Sequence, residues 1–328
     1  MTLPIPAAED HGMAGEPDEA ALRRLFSDIS NWSRCGADDQ RGTINLIGRK
    51  EILRPRRTVG AGRTVSCARP IMTTAQLVLE PGKEHSSPAD LDVVVGGGGM
   101  PERRMGMTLD RFSIAAHGSL HTHIDALCHF FFDGLMYNGR TADEVEPSGS
   151  ISNGVDALGA GICTRGVLLD VAELRGGYVR ADEAVHRDEL VAAETRAGLT
   201  VGRGDAVFVR LGRAVRWVAE GGPECERLAA GGVVPGLHPE CLAFLRERDV
   251  GLLVSDLGHD QLPARFGLAM PLHIGALVFL GMPLLDGADM EPLARLAAEH
   301  SRWEFLLTVA PLAIPGATAS LVNPIAIF

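Results

Sequence analysis

Three short apolar runs constrain this chain more than any other feature: RGVLLDV at 165–171, GDAVFVRLG at 204–212 and VGLLVS at 250–255. Runs of this length with so few polar members are the kind found in strands covered on both faces. Between and beyond them lie stretches of helical pattern, at 182–197, at 239–248 with Pro239 in the first turn, and at 288–299. A last strand is expected at 304–310. Strands alternating with helices define an α/β class with a mixed or partly parallel sheet.

The N-terminal part reads differently. Residues 1–20 are acidic, with Pro and Gly but little apolar pattern, and within 19–32 Leu22, Leu25, Phe26 and Ile29 fall at helical spacing. The expected organisation is therefore an arm with a short helix over residues 1–30 and one domain over 31–328. With 46% apolar and 22% charged residues, a chain of 328 residues has enough material for a substantial core. WSRCGADDQRGTINLIG is turn-rich, 64–78 favours strands, and 80–99 reads as a long loop, either a lid or a plain connection, ending in the glycines 96–99.

Charge and motif content exclude several functions. A formal net charge of -11 disfavours a polyanionic partner, which needs surplus Lys and Arg to displace counterions, so no nucleic acid is expected. The first residues lack the basic and apolar regions of a secretory signal, and a cytoplasmic location is expected. The apolar run 274–285 contains two Gly and a Pro and is about half the roughly 20 residues of a membrane span, so it is read as core and no membrane is expected. Six cysteines, Cys35, Cys67, Cys128, Cys163, Cys225 and Cys241, form no CxxC pair and are read as reduced thiols. The glycine run lacks the phosphate-loop pattern. Arg103 and Arg104 after it are either solvated or grip a substrate carboxylate.

Reactive side chains concentrate in one place, His117-Gly-Ser-Leu-His121-Thr-His123-Ile-Asp125-Ala-Leu-Cys-His129, which holds four of the eleven histidines. On an extended chain, alternate residues share a face, so His121, His123 and Asp125 converge. Two imidazoles and a carboxylate are ligands for Zn²⁺, Mn²⁺ or Fe²⁺, and three protein ligands leave a position for water. A metal there makes hydroxide available near neutral pH and polarises a carbonyl, while His129 is placed to move a proton. Singly, each histidine is more simply a satisfied structural residue; together, costly to bury, they point to a metal. A Cys128–His129 thiol dyad is disfavoured, because strand neighbours face opposite ways.

Beyond this segment the residues resemble a family. THIDALCHF is similar to the core of the metal-dependent cyclase and kynurenine formamidase-like hydrolases, whose hallmark is HxGTHxDxPxH. WSRCGADDQRGTINLI resembles their WGxDDExGTxN element, and TRGVLLDV, GDAVFVRLGR, LVSDLGHD and PLHIGALVFLGMPLLDGADMEPLA match later blocks in order, over roughly residues 30–300. The resemblance implies a mixed-sheet, barrel-like α/β domain that forms homodimers or homotetramers and acts on a small molecule. It implies His123 and Asp125 as ligands, Asp125 able to bridge two ions, and His129 as the proton carrier. The first hallmark histidine falls on Ser119 and the usual glycine on His121, so either His121 or His117 completes the first shell, and alternation favours His121. The hallmark proline falls on Leu127. His273 and Asp286 stand where the family has a distant His and Glu, while Asp256, His259 and Asp260 are candidate pocket residues. One or two divalent ions, Zn²⁺ or Mn²⁺, are implied.

The function expected is hydrolysis, by a metal-bound hydroxide, of an amide or cyclic amide C–N bond in a small substrate, aromatic ones included. The alternatives are a metal-dependent cyclase or lyase acting on a polyketide-like substrate, and a catalytically inactive metal-binding assembly protein.

Overall fold

The computed structural model describes residues 18–71, 90–96, 107–118, 120–220, 232–263 and 267–328. The acidic arm before residue 18, residues 72–89, the glycines 97–99, Arg103, Arg104, Ser119 and Cys225 lie outside the described residues.

Strands in chain order are β1 (Thr64–Ser66), β2 (Asp90–Gly96), β3 (Met107–Ser113), β4 (His123–Asp125), β5 (Val145–Glu146), β6 (Gly149–Ser150), β7 (Ile162–Asp170) and β8 (Ala184–Val185). They continue as β9 (Ala206–Arg210), β10 (Gly236–Leu237), β11 (Leu252–Ser255), β12 (Leu284–Asp286), β13 (Glu304–Val309), β14 (Ala319–Leu321) and β15 (Ile325–Ile327). Nine of them form one curled, half-barrel sheet in the order β1-β15-β13-β7-β9-β11-β12-β4-β14. Its centre, β7-β9-β11-β12, is parallel, and both flanks are antiparallel. This is the mixed α/β domain the sequence predicts.

The central runs are apolar at nearly every position because both faces are covered. Val207 and Val209 of β9 enter one core layer with Leu253 of β11 and Val167 and Leu169 of β7. Ala206 and Phe208 enter the other, with Leu252, Val254 and Leu168. The first layer is closed by the helices Glu19–Ile29, Arg187–Ala197 and Cys241–Glu247, and by a helix that opens at Pro271–His273 and continues over Ile274–Leu280 with π-type turns. Helix Glu291–His300 closes the second. Gly166 is required where β7 passes β13, since a Cβ there would lie 2.1 Å from the Phe305 ring.

Two expectations change. Residues 90–96, read as loop, are a strand whose partner is β3; nothing in the sequence DLDVVVG names that partner. Of residues 112–132, expected to be extended, the described residues are strand only at Phe112 and Ser113 in β3 and at β4, with turns, bends and loop elsewhere. The segment 271–280, read as apolar core, is helical and buried. No helix among the described residues is long and apolar enough to cross a membrane.

Candidate metal centre

β4 is only three residues long, but it lies between β12 and β14, with His123 opposite Asp286 and also opposite Leu321. Ile124 enters the second core layer, so the alternation of the strand turns His123 and Asp125 to the other face. On β12, Leu285 joins the same layer as Ile124 and Leu284 the opposite one, which leaves Asp286 on the face of His123 and Asp125. Cross-strand register thus gathers three ligand-type side chains from two strands far apart in sequence.

Two trios result, sharing Asp125: His117, His123 and Asp125, and Asp125, His273 and Asp286, each with one ligand atom per residue within 4.8 Å of the others. His117 Nδ1 lies 3.0 Å and His123 Nε2 3.4 Å from Asp125 Oδ1. His273 Nε2 lies 3.8 Å from Asp125 Oδ2 and 3.6 Å from Asp286 Oδ2. His259 Nε2 lies 2.7 Å from Asp286 Oδ1. His117 Nδ1, Asp125 Oδ1, His259 Nε2 and Asp286 Oδ1 are buried atoms without a hydrogen bond despite these short approaches. Atoms that sit close without aligning on one another suit a common third partner, and imidazole plus carboxylate is the donor set of a divalent transition ion. The residues present therefore fit a metal.

The far nitrogens are tied down as ligands require. His123 Nδ1 is 2.9 Å from the His121 carbonyl, to which it donates. His273 Nδ1 lies 2.5 Å from Asp260 Oδ2, and the Asp260 carboxylate also accepts the N–H groups of Leu272 and His273 at 2.7 and 3.1 Å. Asp260 thereby caps the helix and orients its imidazole in one stroke, leaving Nε2 toward Asp125 and Asp286. His117 Nε2 is 3.0 Å from Thr318 Oγ1.

The charges interlock. Burial alone would raise the Asp125 carboxyl, but His129, His117 and His123 outweigh it and hold the group well below the carboxylate range. Burial would lower His123, yet Asp125 and Asp286 push it up to about 9. His259 and His273 hold Asp286 down against its burial. His129 goes the other way: burial, assisted by the neighbouring histidines, pushes it down to about 4 against the pull of Asp125. Its ring stacks on His117 with centroids 3.8 Å apart, and its Nε2 is 3.9 Å from Asp125 Oδ2.

His121 precedes β4, so the strand alternation that would aim it with His123 does not reach it. It is buried and lies outside both trios, supplying its backbone carbonyl, and His117 stands in the trio instead. Asp256 is not at the centre: its carboxylate accepts the N–H groups of Leu211, Gly212 and Arg213, each at 2.9 Å, at the start of helix Arg213–Glu220. His259 and Asp260 do line the site. Sequence reasoning missed Thr318 and Phe130, whose ring is 5.1 Å from that of His273. Thr318 carries no signal, whereas Phe130 follows His129 directly. Cys128 is buried in the second core layer and its thiol is pushed up to about 11 by burial, which suits packing and not nucleophilic attack.

A mixed half-barrel sheet carrying two His/Asp trios is a cyclase-type fold with a candidate metal centre. The chain belongs to the family described as "Putative cyclase", whose model matches residues 54–260. The crystal structure of a novel cyclase superposes with a TM-score of 0.80 at 26% identity, covering 91% of this chain and 99% of that one. An isatin hydrolase bound to the product analogue thioisatinate gives 0.55 at 16% identity, covering 81% and 92%. Isatin hydrolase A from Ralstonia solanacearum gives 0.50 at 20%, covering 80% and 91%. No curated protein matches the chain.

Proposed function

We propose that this chain is a metal-dependent hydrolase that opens an amide or cyclic amide C–N bond in a small substrate, including aromatic ones. The observation that carries this reading is the pair of trios joined at Asp125, with the His129 ring stacked at their edge. The likeness in fold to two isatin hydrolases supports a hydrolytic reading over a purely structural one. His117, His123, Asp125, His273 and Asp286 would hold one or two divalent ions, Zn²⁺ or Mn²⁺, and such an ion supplies a polarised carbonyl and a water of lowered pKa.

The remaining work belongs to side chains. His129 is a quarter exposed and its burial holds the imidazole below its usual range, so it is placed to accept a proton from the attacking water and return it to the leaving nitrogen. Phe130, edge-on to His129, offers an apolar wall against which a flat ring can lie. Asp260 and the His121 carbonyl keep two imidazoles in single orientations, so little reorganisation accompanies binding.

Two kinds of variant test this. His123→Ala and Asp125→Ala should lose both bound metal, by elemental analysis, and turnover across a panel of N-formyl arylamines, cyclic imides and lactones. His129→Ala should keep its metal and lose about 10²–10⁴-fold in kcat. Normal turnover by His123→Ala would end the proposal, and activity confined to the lactones would end its C–N bond specificity.

A further inference from the structure

A second group of ligand-type side chains stands at the surface, shares no residue with the trios at Asp125, and has no role above. β8 and β10 pair in parallel with Val185 opposite Leu237, and the ladder continues as the His238 N–H donates to the Val185 carbonyl at 2.8 Å. The residue after each strand is a histidine. The register that pairs the strands therefore also sets His186 beside His238, with ring centroids 4.7 Å apart and planes inclined by 26°. Glu240, two residues on, brings its carboxylate to both: Oε1 lies 3.0 Å from His186 Nδ1, and Oε2 lies 3.4 Å from His238 Nδ1.

One ligand atom from each of the three lies within 4.8 Å of the other two. The arrangement is anchored in backbone, since Glu240 Oε1 also accepts the Arg187 N–H at 3.1 Å, at the start of helix Arg187–Ala197. The side chains of His186 and Glu240 are 49% and 45% exposed, so an ion can reach them without the fold opening. Two stacked imidazoles facing one carboxylate present three donor atoms to a single shared cation.

We propose that His186, His238 and Glu240 form a surface site for a first-row transition dication of the zinc, nickel or copper class. Two imidazoles and one carboxylate suit these ions, whereas Mg²⁺ and Ca²⁺ prefer oxygen throughout. On binding, the ion replaces the long 3.3 Å contact from the Glu240 N–H to His238 Nδ1. It then clips the start of helix Arg187–Ala197 to the start of helix Cys241–Glu247.

The test is a Zn²⁺ titration of tag-free, metal-stripped protein against a chromophoric chelator. Wild type should take up one equivalent more than His186→Ala, and Glu240→Gln, which keeps an acceptor for the Arg187 N–H, should hold that equivalent about tenfold more weakly or worse. Asp125→Asn should lose equivalents from the central site and retain this one, so that failure of the functional reading and failure of this one are told apart. Equal Zn²⁺ counts in wild type and His186→Ala would overturn the site. Displacement of this equivalent by millimolar Mg²⁺ would overturn its assignment to a transition ion.

Discussion

At the scale of single residues, Asp256 and Asp260 look alike in sequence, four positions apart after the same strand, and their surroundings give them different work. The Asp256 carboxylate meets three backbone N–H groups at a helix start, while Asp260 holds the His273 imidazole. Asp256→Ala leaves buried donors without an acceptor and should cost about 2–4 kcal/mol of stability, read from the urea midpoint, with metal content unchanged. Asp260→Asn should lower metal content as well, because the group that orients the His273 imidazole is lost along with part of the helix cap. Loss of the group that orients a ligand imidazole typically weakens metal binding by about 10–100-fold, which a competitive chelator would measure. If both variants lost metal alike, the separate roles argued here would collapse.

At the scale of elements, the site depends on strands whose places are set by packing. β4 has three residues, too few to define its own position, and takes it from β12 and β14. The sheet that carries them is held by contacts such as Gly166 against Phe305, where no side chain fits. Gly166→Val forces the ring to move and should cost about 1–3 kcal/mol, lowering the calorimetric Tm by several degrees. An unchanged Tm would mean that the two strands separate more easily than their registry suggests. His273 owes its place to the helix that starts at Pro271, whose π-type turns interrupt the regular ladder beside the site.

For the whole molecule, burying Asp125, Asp286, His123, His259 and His273 together predicts that a divalent ion held by the proposed centre would stabilise the fold. A cation bound only by the native state at about 1,000 times its Kd adds roughly 4 kcal/mol. Metal-stripped protein should therefore melt about ten degrees below the loaded form, allowing roughly 2–4 °C per kcal/mol for a chain of this size. Coincident melting curves would show that the native centre holds no ion.

Much of this was legible before any coordinates. The buried strands at 162–170, 206–210 and 252–255, the helices at 187–197, 241–247 and 291–300, and the mixed sheet follow from apolar period, which acts over neighbouring residues. That His123 and Asp125 share a face was visible for the same reason, because strand alternation is local. The grouping of His117 rather than His121 with His123 and Asp125 was not, since it turns on where β4 begins, and that is decided by pairing with strands some 160 and 195 residues further on. Nor does sequence order show that Asp260 serves His273 while Asp256 serves a helix, or that His186 and His238 stand side by side. Sequence alone determined which residue types were available and which local elements they form; tertiary structure decided which of them share a point in space, because convergence of charged groups depends on long-range register and on burial that local pattern does not contain.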